Sequence, residues 1–357
     1  MSETSTGHGA PSHRKRSGAA LGLASAALFG ASTPVAKLLV PGTGPLMLAG
    51  LLYAGAGLGL VLAGVLRRRG AESPIQRGDL PALAAAVVSG GVVGPLLLVL
   101  GLARLSGLTA SLLLNLEAPC TIAIAVLFLG ERLSRTEALG AGGIVLGAAA
   151  LSWAPGPVAV DPVGAACVAG ACVAWAVDSN LNQRLAIRDP VAVARAKALV
   201  AGPFNVLLGL AVGERLPSAG HVAAALVTGS LGYGASVVLF LLAVRSLGAA
   251  RQAAYFATAP FVGAVLAVPL LGERPLPIHL GAAALMALGT IGVARARHAH
   301  PHVHEPLDHE HAHVHDAHHG HAHEGPVTEP HSHPHRHDRL EHEHAHLPDL
   351  HHRHGHD

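Results

Sequence analysis

Charge is scarce in this chain. Only 13% of its 357 residues are Asp, Glu, Lys or Arg, against roughly 25% in an ordinary soluble domain. That excludes a water-facing surface over most of the length. Aromatic residues are scarcer, at 3%. Cysteine occurs at three positions, Cys120, Cys167 and Cys172, each inside an apolar block and none in a CxxC pair. A disulfide framework and a thiolate zinc site are therefore excluded, and the three read as small buried hydrophobes. No GxxxxGK[ST] loop occurs, so ATP does not power the chain. No nucleophile–base constellation suggests an enzyme, and nothing points to nucleic acid. No cofactor is required.

What the chain has is apolar length. Hydrophobic residues make up 51%, gathered in blocks of about twenty, the length that crosses a bilayer as a helix. The 43 glycines suit closely packed membrane helices, where small residues let backbones approach. Spans are expected at 17–40, 45–66, 80–103, 107–130, 135–153, 162–185, 190–213, 220–246, 248–272 and 276–296. The connectors PGTGP (41–45), APGPVAVDP (154–162) and ERLPSAG (214–220) carry turn residues. The fold class is an all-α polytopic membrane protein.

Arginine and lysine set the orientation. With the N-terminus inside, fifteen basic residues flank the inner ends (Arg14, Lys15, Arg16, Arg67 and Arg68 among them) and three the outer ones, Arg104, Arg215 and Arg274. Both termini are therefore expected in the cytoplasm, with the chain in a bacterial plasma (inner) membrane. The basic segment 1–16 lacks a signal-peptide core and is expected to be disordered.

The chain also repeats itself. APCTIAIAVLFLGER (118–132) pairs with APFVGAVLAVPLLGER (259–274), and LGAGGIVLGAAAL (139–151) with LGAAALMALGTIGV (280–293). LFGASTPVAKLL (28–39) matches the position of VAWAVDSNLNQRLA (173–186). Two five-helix units, 17–153 and 162–296, follow, joined by a linker at 154–161. An odd number of spans per unit inverts the second relative to the first, a build common among secondary transporters.

The ten-span plan and the doubled AP…LGER ends resemble the EamA-type drug/metabolite transporter family over nearly all of 17–296. SLLLNLEAPC (111–120), WAVDSNLNQRLAIRDP (175–190) and LGYGASVVLFLLAVRSLGAARQAAYFATAPFVGA (231–264) look like one subgroup. The resemblance implies a secondary carrier that moves a small metabolite, often outward, by alternating access.

Ionisable side chains inside hydrocarbon cost about 2.5–3.5 kcal/mol each on insertion scales, so each needs a reason. Glu117 lies mid-span, two residues after Asn115 and two before Pro119, whose missing N–H opens the helix. A carboxyl there can bind a cationic group or carry a coupling proton, because desolvation favours its neutral form. Asp178 and Asn182 are one turn apart on one helix face, with Asn180 pointing elsewhere. Tyr255 precedes Pro260 in the span that mirrors that of Glu117, and Arg251 lies one turn earlier. Glu117, Asn115, Asp178, Asn182, Tyr255 and Arg251 are the candidate substrate-binding residues. Lys197 and Arg195 read as side chains reaching back to the cytoplasmic interface, Glu131 and Glu273 as helix-end residues, and Asn205 as a helix–helix hydrogen bond.

From His298 onward the tail (297–357) holds 23 of the 27 histidines. It has too few apolar residues for a core and is expected to be disordered. Its candidate metal ligands are His309, His311, His313 and His315, then Asp316, His318 and His319, and then His331, His333, His335 and His337. Imidazole suits Zn, Ni, Co and Cu ions.

Three functions fit: a metabolite exporter with an accessory tail, a transition-metal or metal-chelate carrier loaded from the tail, and a membrane-anchored metal store or sensor. The partners expected are the lipid bilayer, a small-molecule or cation substrate and a second copy in a homodimer.

Overall fold

A computed structural model describes residues 10–66, 73–129, 133–153, 160–185, 188–247, 249–295, 298–304, 307–313, 331–337 and 340–346. The apolar blocks form α1 (Ala10–Leu39), α2 (Pro45–Leu66), α5 (Arg135–Ser152), α6 (Pro162–Arg184), α7 (Pro190–Ala211) and α10 (Pro277–Arg295) as unbroken helices. The other four are built in pieces. Helix α3 has a 3-10 turn (Arg77–Asp79), an α segment (Leu80–Ala86), a π segment (Val87–Val93) and a second α segment (Gly94–Arg104). Helix α4 runs Gly107–Leu113, a 3-10 turn at Leu114–Leu116, then Glu117–Leu129. Helix α8 has a π segment, Ser230–Ala235, between Ala219–Gly229 and Ser236–Leu247, and α9 is divided into Ala249–Phe256 and Ala259–Leu271.

Among the described residues, nine of these segments are long and apolar enough to cross a membrane. The fifth, α5, falls short because Arg135 and Glu137 occupy its first turn. Ser134 and Glu137 form a capping box there, the Ser134 hydroxyl accepting from the Glu137 N–H and the Glu137 carboxylate from the Ser134 N–H. Several large apolar side chains point out of the helix bundle, among them Phe128 (79% exposed), Leu139 (78%) and Val65 (76%). On a multi-pass membrane protein such a surface is the lipid-facing one.

The packing follows one rule. Helix α2 lies along α7, α5 along α10, and α1 against α8 and α9, just as α6 lies against α3 and α4. Exchanging each helix for the one five places on maps these pairs onto one another. Corresponding helices approach very closely. A Cβ on Gly50 would stand 2.6 Å from the Val206 nitrogen, and one on Gly202 2.5 Å from the Ala54 nitrogen. Residue numbers rise along α2 as they fall along α7, so the two run antiparallel. Helices α5 and α10 do the same, meeting at Gly140 and Gly289.

The connectors gather in two sets. In one, the Glu214 carboxylate accepts from the Leu46 and Met47 N–H groups (3.2 and 2.7 Å), and Lys37 donates to the Leu102 carbonyl. Arg104 pairs with Asp161 at 3.0 Å. That contact and the Val163 N–H hold the Asp161 carboxyl below the usual range. In the other set, Arg188 binds Asp79 at 2.7 Å and the Ser73 hydroxyl at 3.0 Å.

Glu273 caps α4, accepting from the N–H groups of Gly107 (2.6 Å) and Leu108 (2.7 Å). A carboxylate at a helix N-terminus satisfies donors that have no partner within the helix. Glu273→Ala is expected to cost about 1–2 kcal/mol, visible as a lower unfolding midpoint in detergent. An unchanged midpoint would contradict the capping role.

Parts of both terminal segments are among the described residues. Helix α1 starts at Ala10, inside 1–16, with Pro11 in its first turn, where proline is tolerated. In the tail, β1 (His298–His304) pairs antiparallel with β4 (Leu340–His346), and β2 (Leu307–His313) with β3 (His331–His337). The alternating HxH pattern has the period of a strand.

Candidate functional site

Helix-breaking chemistry concentrates at one level of the bundle. In α4, Pro119 cannot donate to the Asn115 carbonyl four residues back, and the chain takes a 3-10 turn just ahead of Glu117. The Asn115 side-chain amide bonds the Leu112 carbonyl at 2.8 Å. Thr121 Oγ1 returns to the Glu117 carbonyl at 2.9 Å. The Cys172 thiol lies 3.7 Å from the Leu113 carbonyl and 3.8 Å from that of Leu114. Asn115 therefore closes the break, and the next turn sets Glu117 about 15 Å along α4, near its middle.

In α3 the π segment displaces two backbone carbonyls from the regular ladder, and side chains from three other helices satisfy them. Gly90 O accepts from Tyr53 Oη of α2 and from Trp175 Nε1 of α6 (3.2 Å). Gly91 O accepts from Asn205 Nδ2 of α7 at 3.0 Å. Short π insertions recur at functional sites. Here the insertion also makes room: a Cβ on Gly90 would collide with the Asp178 carboxylate.

That carboxylate is the centre of the arrangement. Asp178 Oδ2 accepts from Lys197 Nζ at 2.6 Å, with 9% of the Asp178 side chain and 16% of the Lys197 side chain exposed. Glu117 lies within electrostatic range of both and keeps part of its surface accessible. The pair is neutral in itself, and the Glu117 carboxyl beside it adds a negative charge only when it is ionised. Rings line the neighbourhood: Tyr53 lies 5.9 Å from Tyr233, which meets Phe29 edge-on at 5.6 Å; Phe29 continues to Phe256 at 5.1 Å. In a chain with only two Trp, three Tyr and six Phe, this concentration is selective.

The structure thus brings together Glu117 and Asp178 from α4 and α6, in different halves, while Asn115, two residues before Glu117, turns its amide to the Leu112 carbonyl and the Met286 sulfur. Asn180 points away from Asp178, donating to the carbonyls of Ala176 (2.8 Å) and Thr121 (3.4 Å). Asn182 is half-buried, with its Oδ1 unpartnered among the described residues. Arg251 is exposed in the first turn of α9, and Tyr255 is half-buried against Gly22 of α1. Neither shares a hydrogen bond or ion pair with Glu117 or Asp178 among the described residues.

Sequence reasoning missed Lys197, read as an interface anchor. It lies about 10 Å into α7, and its ammonium turns inward because Asp178 of α6 is within reach. It missed Tyr53, Trp175 and Gly90 as well. The signal available was the glycine pairs SGG (89–91) and GYG (232–234), mid-span in the third helix of each half.

The tail candidates stand apart. The register of β2 and β3 sets His309 opposite His335, His311 opposite His333 and His313 opposite His331, with His337 opposite Leu307. His315, Asp316, His318 and His319 lie outside the described residues. No group of three or more His, Cys, Asp or Glu is arranged to hold a metal ion among the described residues.

A model of the EamA-like transporter family matches residues 16–153 and again 162–295. The chain belongs to the EamA-like transporter family. Its two matched repeats meet where the broken helix α4, with Glu117, packs on the unbroken α6, with Asp178. An uncharacterized transporter of Methanothermobacter thermautotrophicus (strain Delta H) is 28% identical over 285 residues, covering 73% of this chain and 80% of its own length. A solved crystal structure has a similar fold, at a TM-score of 0.52 and 18% identity, covering 78% of this chain and 96% of that one.

Proposed function

We propose that this membrane transporter is a secondary carrier that exports a small metabolite by alternating access, with its substrate held between the two halves by Glu117 and Asp178. The observation that carries the proposal is the Asp178–Lys197 pair, buried beside Glu117 where α3 and α4 are broken. Charge placed at that depth is costly unless it is used. In this reading α5 completes ten spans as two inverted five-helix repeats, 17–153 and 162–296. The antiparallel course of α2 and α7 supports the inversion. Both termini face the cytoplasm of a bacterial cell.

We propose the histidine tail as an accessory arm that binds Zn, Ni, Co or Cu ions, close spacing raising the local ligand concentration. Cys120 and Cys172 lie within electrostatic range of Glu117, but the interior offers no assembled ligand set among the described residues. Deleting 298–357 is therefore expected to abolish metal binding by the purified protein while leaving insertion and transport intact.

The test is a sensitivity panel of cells lacking or overproducing the protein, covering Ni²⁺, Co²⁺, Zn²⁺, Cu²⁺, amino acids, amines and toxic analogues. Resistance to an organic compound that persists after tail deletion supports the proposal. A phenotype confined to metals and lost with the tail would replace it with a metal carrier.

A further inference from the structure

Among the described residues, four polar atoms on α6 and α7 are buried without a partner: Asp178 Oδ1, Asn180 Oδ1, Asn182 Oδ1 and Asn205 Oδ1. All four are acceptors. The bonds made by the Asn180 and Asn205 amide nitrogens to carbonyl oxygens fix which end of each amide faces away. Asp178 is only 7% exposed, and a buried carboxylate oxygen left unpaired costs free energy. Lys197 satisfies only the other oxygen. The unpaired Asp178 and Asn182 oxygens, with the Glu117 carboxyl close by, call for a ligand with N–H donors and a positive charge to meet the carboxylate that Lys197 now neutralises. The rings of Tyr53, Tyr233 and Phe29 offer faces to a cation and its apolar body.

We infer that this site takes an amine-bearing organic cation, and that Lys197 is a tethered stand-in for its ammonium, occupying Asp178 until the substrate displaces it. The inference rests on the carrier reading above, and names the substrate class of the same site. A lysine side chain is a primary alkylammonium on a flexible stem, so it resembles the ligand it gives way to. Because it is tethered, it competes at a high effective concentration. Apparent affinity falls by the fraction of the protein in which Asp178 is free. The competitor keeps the acid neutralised in the empty carrier and weakens binding enough to allow release.

The test is equilibrium binding of 2-phenylethylamine to the purified full chain in detergent, with phenylacetate and phenylalanine as anionic and zwitterionic comparisons. The chain has two tryptophans, so a Trp153→Phe background leaves Trp175, beside the Gly90 carbonyl, as the reporter. In that background, Lys197→Met is expected to bind the amine about tenfold or more tightly than Lys197 itself. Lys197→Gln should also tighten it, Lys197→Arg should keep the weak affinity, and Asp178→Asn should lose it. Size-exclusion profiles show which variants are folded, and either the Met or the Gln variant suffices. Equal or weaker amine binding in the folded Met and Gln variants would overturn the inference. So would phenylacetate or phenylalanine binding that is lost with Lys197, since Lys197 would then hold a substrate carboxylate. Tightening without transport of any compound would leave the inference standing and sink the carrier reading, whereas transport without tightening would do the reverse.

Discussion

Replacing Glu117 by Gln is expected to reduce transport by roughly 30-fold or more while leaving yield and unfolding midpoint near those of the parent protein. The amide has the shape of the carboxylate, and Glu117 makes no side-chain hydrogen bond within the protein among the described residues, so packing loses little. What is lost is a carboxyl that can meet a cation or carry a proton in a largely desolvated site. Contacts of that kind are worth about 2–5 kcal/mol, and each 1.4 kcal/mol is a factor of ten in affinity. The check is efflux from cells containing matched amounts of each protein, followed by the midpoint of each in detergent. Parental efflux by Glu117→Gln would remove Glu117 from the site.

Asp178→Leu is expected to be among the most damaging changes to the fold itself. It leaves the Lys197 ammonium inside the bundle without its counter-charge, and breaking a buried pair from one side costs roughly 3–5 kcal/mol. Adding Lys197→Met removes the orphaned charge, so the double variant should recover most of the lost stability. It should not recover transport, because the acid that meets the substrate is gone. A double variant as unstable as the single one would show that Asp178 acts through packing, while recovered transport would show that the pair serves the fold alone.

Spans and repeats were legible because they are local. Twenty apolar residues in a row announce a membrane helix wherever they occur, and the doubled LGER marks the same helix end in each half. The role of Glu273 was legible only in kind. A helix-end residue was expected, yet the end it caps belongs to α4, far away in sequence. Asn205 was foreseen as a helix–helix bond because an amide in hydrocarbon has few alternatives. Lys197 was misread for the opposite reason. A lysine about 10 Å from a helix end can reach either the interface or the interior, and only the packing of α6 and α7 on the π segment of α3 decides. Tyr53 and Trp175 gave no local sign, since their partner is a backbone carbonyl released by the π segment of α3. Arg251 and Tyr255 were placed by symmetry with Glu117. But the residue that stands before Ala259–Pro260, as Glu117 does before Ala118–Pro119, is the uncharged Thr258. The halves share a frame and differ in charge.

The most direct test is counterflow in vesicles made with the purified protein. Vesicles loaded with an unlabelled compound from the sensitivity panel are diluted into a trace of the labelled one. A carrier whose single site faces each side in turn should show a transient overshoot of label inside, and Glu117→Gln vesicles should stay flat. Simple equilibration without overshoot, or an undiminished overshoot in Glu117→Gln, would contradict a carrier built on that site.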